Sequence, residues 1–244
     1  MHKTFIRNFI HLHWCKIGFF IAFLTSFNFT TAEAQINLMN HDSKKMYFGI
    51  LVGFNSTRFQ ITHSEKFLNN DTILVIDSPT SPGFNLGIVS NFKVTPRLDI
   101  RIIPTLIFAE KILRYEKTTT AGSAPPDPIE AIYLDLPIGI KYKSDRFYNN
   151  FRFYVLAGGK IDFDMASNSK KRRANDIVKL AKFDFTAEVG FGFEFYFPLF
   201  IFSPEFKVGN GLNNVHVPTE GLIYSDVISK LKSRTITFSL QFEG

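Results

Sequence analysis

The sequence predicts an all-β protein, an eight-stranded antiparallel up-and-down transmembrane β-barrel. Polar and apolar residues alternate over long stretches, and this alternation occurs eight times along the chain. A third observation is the phenylalanine content, 29 in 244 residues. A water-facing domain of this length has difficulty burying so many large rings. We therefore expect many of these rings to face lipid.

The clearest alternation lies between residues 183 and 197. Its even positions are mostly polar or glycine, whereas its odd positions are apolar: Phe183, Phe185, Ala187, Val189, Phe191, Phe193, Phe195 and Phe197. Successive side chains of a pleated strand point to opposite faces, so a period of two indicates a strand. Soluble strands usually have about 5 or 6 residues. A tilted strand that crosses a bilayer needs about 9 to 11, which this stretch provides.

Seven further stretches show the same pattern. Their predicted outward residues are Phe48, Ile50, Val52 and Phe54; Phe84, Leu86, Ile88, Phe92 and Val94; Leu98, Ile100, Ile102, Leu106 and Phe108; Ile132, Leu134, Leu136, Ile138, Ile140 and Tyr142; Phe151, Phe153, Val155, Ala157, Ile161, Phe163 and Met165; Phe200, Phe202, Phe206 and Val208; and Ile236, Phe238, Leu240 and Phe242. In the second of these stretches, Ser90 is a polar residue at an outward position. An even number of strands suits a closed antiparallel barrel. At Pro104, Pro137 and Pro204 we expect bulges or early strand ends, because proline lacks a ladder donor.

The first 34 residues are typical of an export signal. Three basic residues, Lys3, Arg7 and Lys16, precede an apolar stretch at 17–29. This stretch is shorter than the ~20 residues of a spanning helix. We expect cleavage before Gln35, a short periplasmic segment at 35–45 and an outer-membrane barrel at 46–244. No later segment has the ~18 consecutive apolar residues of a helical span.

Composition excludes several kinds of chemistry. The only cysteine, Cys15, lies in the signal, so the exported chain has no disulfide and no cysteine-based metal site. The formal net charge of +6, to which the signal contributes, is too small to indicate nucleic acid as a partner. His41, His63 and His216 lack metal-site spacing and are expected to be ordinary loop residues. We expect no catalytic, cofactor-binding or metal-binding residues.

The connections predict the orientation. Long loops at 60–82, 115–129, 166–181 and 210–232 alternate with short links at 95–97, 143–150 and 198–199. Short links of outer-membrane barrels face the periplasm, so both chain ends are expected there. Within the long loops, Lys170-Lys171-Arg172-Arg173 either attracts lipopolysaccharide phosphates or is simply solvated. Residues 226–232 have the apolar spacing of a short helix on the rim.

The interior is expected to be filled by side chains, because water-filled channels appear only at about 16 strands. The inward charges are nearly balanced: Asp99, Arg101, Asp135, Lys141, Arg152, Lys160, Asp162, Glu188, Glu194, Glu205 and Lys207. Unpaired charges are costly in a dry interior, so we expect them to pair. An acid–base site at Glu188 and Glu194, or at Asp162 and Asp164, is the alternative, but such spacing follows from inward alternation alone.

Three segments resemble recurring strand patterns of the PorT-like family of outer-membrane β-barrel proteins. They are Phe48-Gly49-Ile50-Leu51-Val52-Gly53, Tyr133-Leu134-Asp135-Leu136-Pro137 and Tyr154-Val155-Leu156-Ala157-Gly158-Gly159-Lys160. The resemblance covers nearly the whole chain after the signal. It implies an accessory component of type IX protein secretion, a route linked to surface adhesins and gliding motility, and it supplies no catalytic residues. The C-terminus departs from the common barrel pattern, because the aromatic Phe242 is not the last residue.

We therefore expect a non-enzymatic scaffold in the cell outer membrane. Its expected partners are outer-membrane lipid, lipopolysaccharide and other secretion-apparatus proteins, without a cofactor. Two alternatives remain open. A lipid-modifying barrel enzyme would need a histidine and a serine near one rim, for which His63-Ser64 is the nearest candidate. The other is a small-solute porin or an adhesin, although the narrow interior disfavours the porin.

Overall fold

A computed structural model describes residues 36–68, 73–117, 128–165, 179–218 and 223–244. The predicted signal peptide with its cleavage site, and the basic motif at 170–173, lie outside these residues. Within the described ranges, no helix has the length and apolar character needed to cross a lipid bilayer.

The described residues form thirteen strands and three short helical turns. The strands are β1 (Met46–His63), β2 (Ile73–Asp77), β3 (Ser81–Thr95), β4 (Leu98–Ile102), β5 (Thr105–Ile112), β6 (Arg114–Lys117), β7 (Pro128–Lys143), β8 (Phe151–Asp164), β9 (Lys179–Leu180), β10 (Phe183–Tyr196), β11 (Ile201–Gly211), β12 (His216–Val217) and β13 (Ile228–Glu243). A 3-10 helix, Met39–Ser43, precedes β1. The α-helices α1 (Glu65–Leu68) and α2 (Ile223–Asp226) are single turns at the long-loop end.

The barrel closes because its first and last strands pair. β1 pairs antiparallel with β13 on one side and with β3 on the other. The ring continues from β3 through β4 and β5, β7, β8, β10 and β11 back to β13. β4 and β5 share one position in this ring, so eight hydrogen-bonded strands form a closed up-and-down circuit. The predicted fold class is confirmed, and closure satisfies the strand edges where lipid cannot.

The exposure of the side chains confirms the predicted faces. The apolar residues of the outward set are exposed or half-buried; Phe54, for example, is 66% exposed and Val189 is 59% exposed. The charged residues between them are buried, apart from the half-buried Lys93, and Asp99 and Lys141 have no exposed surface. A soluble domain shows the opposite arrangement. The apolar ring is therefore a lipid-facing surface, and the polar residues form the core.

The three prolines affect the sheet differently. Pro104 lies in the break between β4 and β5, as predicted. Pro137 lies within β7, and its carbonyl accepts a hydrogen bond from the Ile103 amide at 3.2 Å. The backbone edge of Pro137 that lacks an N–H donor therefore faces the break between β4 and β5, and the β7–β8 register is unchanged. Pro204 lies within β11. Neither Pro204 nor Ser203 is paired with β10, but the residues before and after them pair with β10 in one register. The expected bulge or early strand end is wrong for Pro137 and Pro204.

The loops predicted at 60–82 and 210–232 are shorter than expected because strands continue beyond the apolar surface. β1 extends to His63, and β13 already begins at Ile228. Segments within the loops also pair, β2 with β6 and β9 with β12. The helix expected at 226–232 is wrong, because residues from Ile228 onward pair with β1 and the helical turn α2 ends at Asp226. The short links appear where they were predicted.

Candidate functional site

One arginine joins opposite walls of the interior. Arg101 of β4 is 2.6 Å from Glu205 of β11 and 3.1 Å from Glu243 of β13. In the ring of eight, β4 and β11 are four steps apart, so this contact crosses the barrel. Arg101 Nε also donates to Asn91 at 2.7 Å, and the Tyr154 hydroxyl donates to Glu205 at 2.7 Å. All five side chains are buried.

Further ion pairs fill the interior toward the short links. Lys143 Nζ is 2.6 Å from the Asp99 carboxylate, which also accepts a hydrogen bond from the Tyr47 hydroxyl at 2.6 Å. Lys141 pairs with Glu194 of β10. These contacts link β1, β4, β7 and β10 in the same part of the barrel. The interior between Arg101 and the short links is therefore occupied by paired charges of opposite sign.

The interior toward the long loops is filled in the same way. Lys160 lies 2.7 Å from Asp135 and 2.9 Å from Asp162. Lys111 of β5 lies 3.9 Å from Asp184 of β10, a strand with which β5 does not pair. Small cavities of about 20 Å³ and about 10 Å³ lie among these side chains. A water molecule needs a cavity of roughly 10–15 Å³, so each of these cavities has room for little more than one.

The prediction of paired interior charges is confirmed. Each of the eleven predicted residues is buried and lies in an ion pair. Three of the four carboxylates considered for acid–base chemistry pair with lysines: Glu188 with Lys207 at 3.5 Å, Glu194 with Lys141, and Asp162 with Lys160 at 2.9 Å. The fourth, Asp164, is buried. Sequence reasoning missed Lys111, Lys143 and Glu243. All three have the inward parity of their strands, but they lie at strand ends, beyond the last outward residue that the alternation identifies.

The 3-10 helix Met39–Ser43 closes the short-link end of the interior. The Asp42 carboxylate is 3.0 Å from Arg146 Nε and 3.3 Å from Arg152. Lys93 Nζ donates to the Asp42 carbonyl at 2.8 Å. Arg146 also donates to the carbonyl of Asn37 at 2.8 Å. This segment, which we call the N-terminal plug, is therefore fixed to the barrel by basic side chains from β3, from β8 and from the link between β7 and β8.

His41 forms the inner surface of the N-terminal plug. It is 3% exposed, and its ring lies edge-on to Tyr47 with the centroids 4.5 Å apart. Burial, and then the positive charge of Lys93, lower the pKa of His41 from 6.5 to about 4. At neutral pH this histidine is uncharged. It belongs to the closure of the barrel.

A separate apolar core lies at the long-loop end. We call it the rim cluster, and its buried members are Phe59, Ile76, Leu113, Val215, Val227, Ile228 and Leu231. They come from β1, β2, β13 and the segments beside β5, β12 and α2. Burial of these side chains explains why the loop segments are ordered against the extended ends of β1 and β13. The described residues at the long-loop end consequently pack into a core of their own.

His63 and Ser64, the candidates for a lipid-modifying site, do not form a histidine–serine pair. The Ser64 hydroxyl donates to the Asp226 carbonyl at 2.6 Å, and His63 is exposed. A different pair forms in the rim, where His216 Nε2 lies 3.0 Å from Ser225 Oγ. Both side chains are buried, and burial lowers the pKa of His216. The two residues are nine positions apart, so no sequence spacing indicated this contact.

The closed ring, its apolar outer surface and its polar core define an outer-membrane β-barrel. The sequence matches the family model described as outer membrane protein beta-barrel domain over residues 33–217. This match covers most of the chain, and the protein belongs to that family. Its location is the outer membrane.

Solved structures of similar fold come from several bacteria. OprG of Pseudomonas aeruginosa is 12% identical over 82% of this chain and 95% of that chain, with a TM-score of 0.46. Neisserial surface protein A is 9% identical over 81% and 96%, with a TM-score of 0.40. Ail, the attachment invasion locus protein of Yersinia pestis, is 12% identical over 82% and 100%, with a TM-score of 0.36. A search of curated proteins gives no match.

Proposed function

We propose that this barrel is a non-enzymatic scaffold, an accessory component of type IX protein secretion. The observation that carries the scaffold role is the contact of Arg101 with Glu205 and Glu243 across the interior. Eight strands enclose too little space for a folded cargo even without these side chains. A filled barrel can hold partners at its two ends and in the plane of the membrane.

The secretion role is supported by the resemblance to PorT-like barrels. The resembling segments lie in β1, β7 and β8. They contribute Asp135, Tyr154 and Lys160 to the interior network, and Gly49 makes room for Glu243, whose Cγ would be 2.9 Å from a Cβ at that glycine. The resembling positions therefore include residues that build the filled interior.

The proposed orientation places the short links, the N-terminal plug and both chain ends in the periplasm. Two large side chains at the tips of short links are strongly exposed: Tyr148 at 92% and Leu199 at 86%. Tyr148 also adopts a left-handed backbone conformation, φ 46°, which is uncommon for a bulky residue. Exposed apolar residues beyond the lipid-facing surface suit contact with a protein. We propose these two tips as the contact for periplasmic secretion proteins.

A deletion strain tests this function by comparison of its secreted proteins with those of the wild type. We expect cargo export to be lost, to return with the wild-type gene, and to stay lost with Y148S/L199S. Leu212→Ser is the matched control, because Leu212 is 63% exposed at the opposite end. Normal export in the deletion strain would refute the secretion role. Altered lipid A in that strain, detected by mass spectrometry, would instead favour the lipid-modifying enzyme.

A further inference from the structure

Four basic residues lie together on the outside of the barrel near the long loops. Arg58 of β1 is directly opposite Arg234 of β13. Lys232 and Lys230 follow on the same face of β13, at a spacing of two residues. We call these four residues the basic ladder. Arg58 and Lys230 are exposed, and Arg234 and Lys232 are half-buried.

The basic ladder begins where the apolar surface ends. On the same face of the two strands, Phe54 is 66% exposed, Phe238 47% and Ile236 40%. Ile236 is the outward residue next to Arg234 along β13. Lipid headgroups form a layer directly outside the hydrocarbon core of a bilayer. Long basic side chains at this boundary extend their charged ends into that layer.

The charges of the basic ladder lack partners among the described residues. None of the four takes part in an ion pair with a described carboxylate, whereas Arg101 in the interior has two. The Nε of Arg234 is buried without a hydrogen-bond acceptor in the described part of the chain. Like charges directly opposite on neighbouring strands destabilise a sheet. Arg58 and Arg234 have this arrangement, which an anion between them would relieve.

We propose that the basic ladder binds the phosphate group of a membrane lipid headgroup in the leaflet beside the long loops. Arginine presents planar, paired donors that match phosphate oxygens, and the two lysines add positive charge. The apolar surface directly below accommodates the acyl chains of the same lipid. This inference is independent of the secretion role, because it depends only on the position of four side chains relative to the lipid-facing surface. It is also a different site from the 170–173 motif.

Lipid retention by the purified protein tests the proposal. Native mass spectrometry would compare the protein mixed with phosphorylated lipid A and with enzymatically dephosphorylated lipid A. We expect the wild type to retain the phosphorylated form on the order of tenfold more strongly. R58Q/R234Q should lose this preference. The control K44Q/K45Q removes the same charge from exposed lysines at the other end of β1 and should keep it.

Three outcomes of the lipid comparison would overturn the proposal. These are equal retention of the two lipids by the wild type, an unchanged preference in R58Q/R234Q, and an equal loss in K44Q/K45Q. Inorganic phosphate at the same concentration should not displace the lipid, and displacement would identify a soluble anion as the occupant. Heat-dependent gel mobility checks that each variant is folded. If R58Q/R234Q does not fold, K230Q/K232Q should show a smaller loss of the same preference.

Discussion

Arg101 is buried between two carboxylates from other strands, Glu205 and Glu243. Removing charges from water is unfavourable, and only complete pairing offsets that penalty. Arg101→Met would leave two buried carboxylates without this cation. We expect the free energy of unfolding to fall by about 3–5 kcal/mol. Urea unfolding of the barrel in lipid vesicles, followed by gel mobility, measures the change.

Arg97→Gln is the matched control for this substitution. Arg97 also pairs with a carboxylate, Asp145 at 2.7 Å, but the two side chains are 55% and 73% exposed. Surface ion pairs contribute about 0–1 kcal/mol, so the urea midpoint should change little. Equal destabilisation by the Arg101 and Arg97 substitutions would contradict the importance given to the interior network.

His41 makes the attachment of the N-terminal plug sensitive to pH. Its pKa in the folded protein is about 4, lowered by burial and by Lys93, against about 6.5 when solvated. Lys44 acts in the same direction, and Glu194 and Asp42 oppose it. A released plug therefore binds a proton that the attached plug does not. Attachment is fully stabilised above about pH 6.5 and weakens as the pH falls toward 4.

Limited proteolysis within residues 36–45, which contain the N-terminal plug, measures this effect. A protease active at both pH values should cleave the plug faster at about pH 5 than at about pH 7.5. His41→Phe keeps an aromatic ring beside Tyr47 but cannot be protonated, so its cleavage should vary much less. Identical pH dependence in the wild type and the variant would show that another group controls the attachment.

At the scale of strands, β10 leaves space for a side chain of β8. A Cβ at Gly192 would lie 2.5 Å from the Tyr154 hydroxyl and 2.8 Å from the Pro204 carbonyl oxygen. Tyr154 would have to move away from Glu205. We expect Gly192→Ala to lower the free energy of unfolding by about 1–3 kcal/mol. Gly159→Ala is the control, since its nearest neighbour would be at 3.6 Å, and a larger effect there would contradict this explanation.

The faces of the strands were predictable because lipid and interior require opposite polarity at alternate positions. The strand ends were not, because alternation loses this meaning beyond the lipid. Ile228 and Leu231 therefore suggested a helix, whereas the rim cluster and pairing with β1 make them part of a strand. The alternation also predicted that Arg101 faces the interior, but it could not show which strands on the far side the side chain reaches. That partner depends on the register and tilt of strands distant in sequence.

At the scale of the whole molecule, two environments divide the structure. Lipid contacts the apolar outside, and paired charges occupy the inside from the N-terminal plug to the rim cluster. The plug, the Arg101 contacts and the lysine pairs lie in succession along the barrel. A solute would have to displace several ion pairs at once to cross it. The molecule is therefore suited to binding at its ends and its outer surface, as both proposals require.

Electrical conductance of the purified barrel in planar lipid bilayers tests this central claim most directly. A known porin in the same bilayer serves as the positive control, and heat-dependent gel mobility shows that the inserted protein is folded. Because the charges of Arg101, Glu205 and Glu243 block the middle of the barrel, we predict no steady conductance steps from the wild type. Reproducible steps of a water-filled pore would contradict the account.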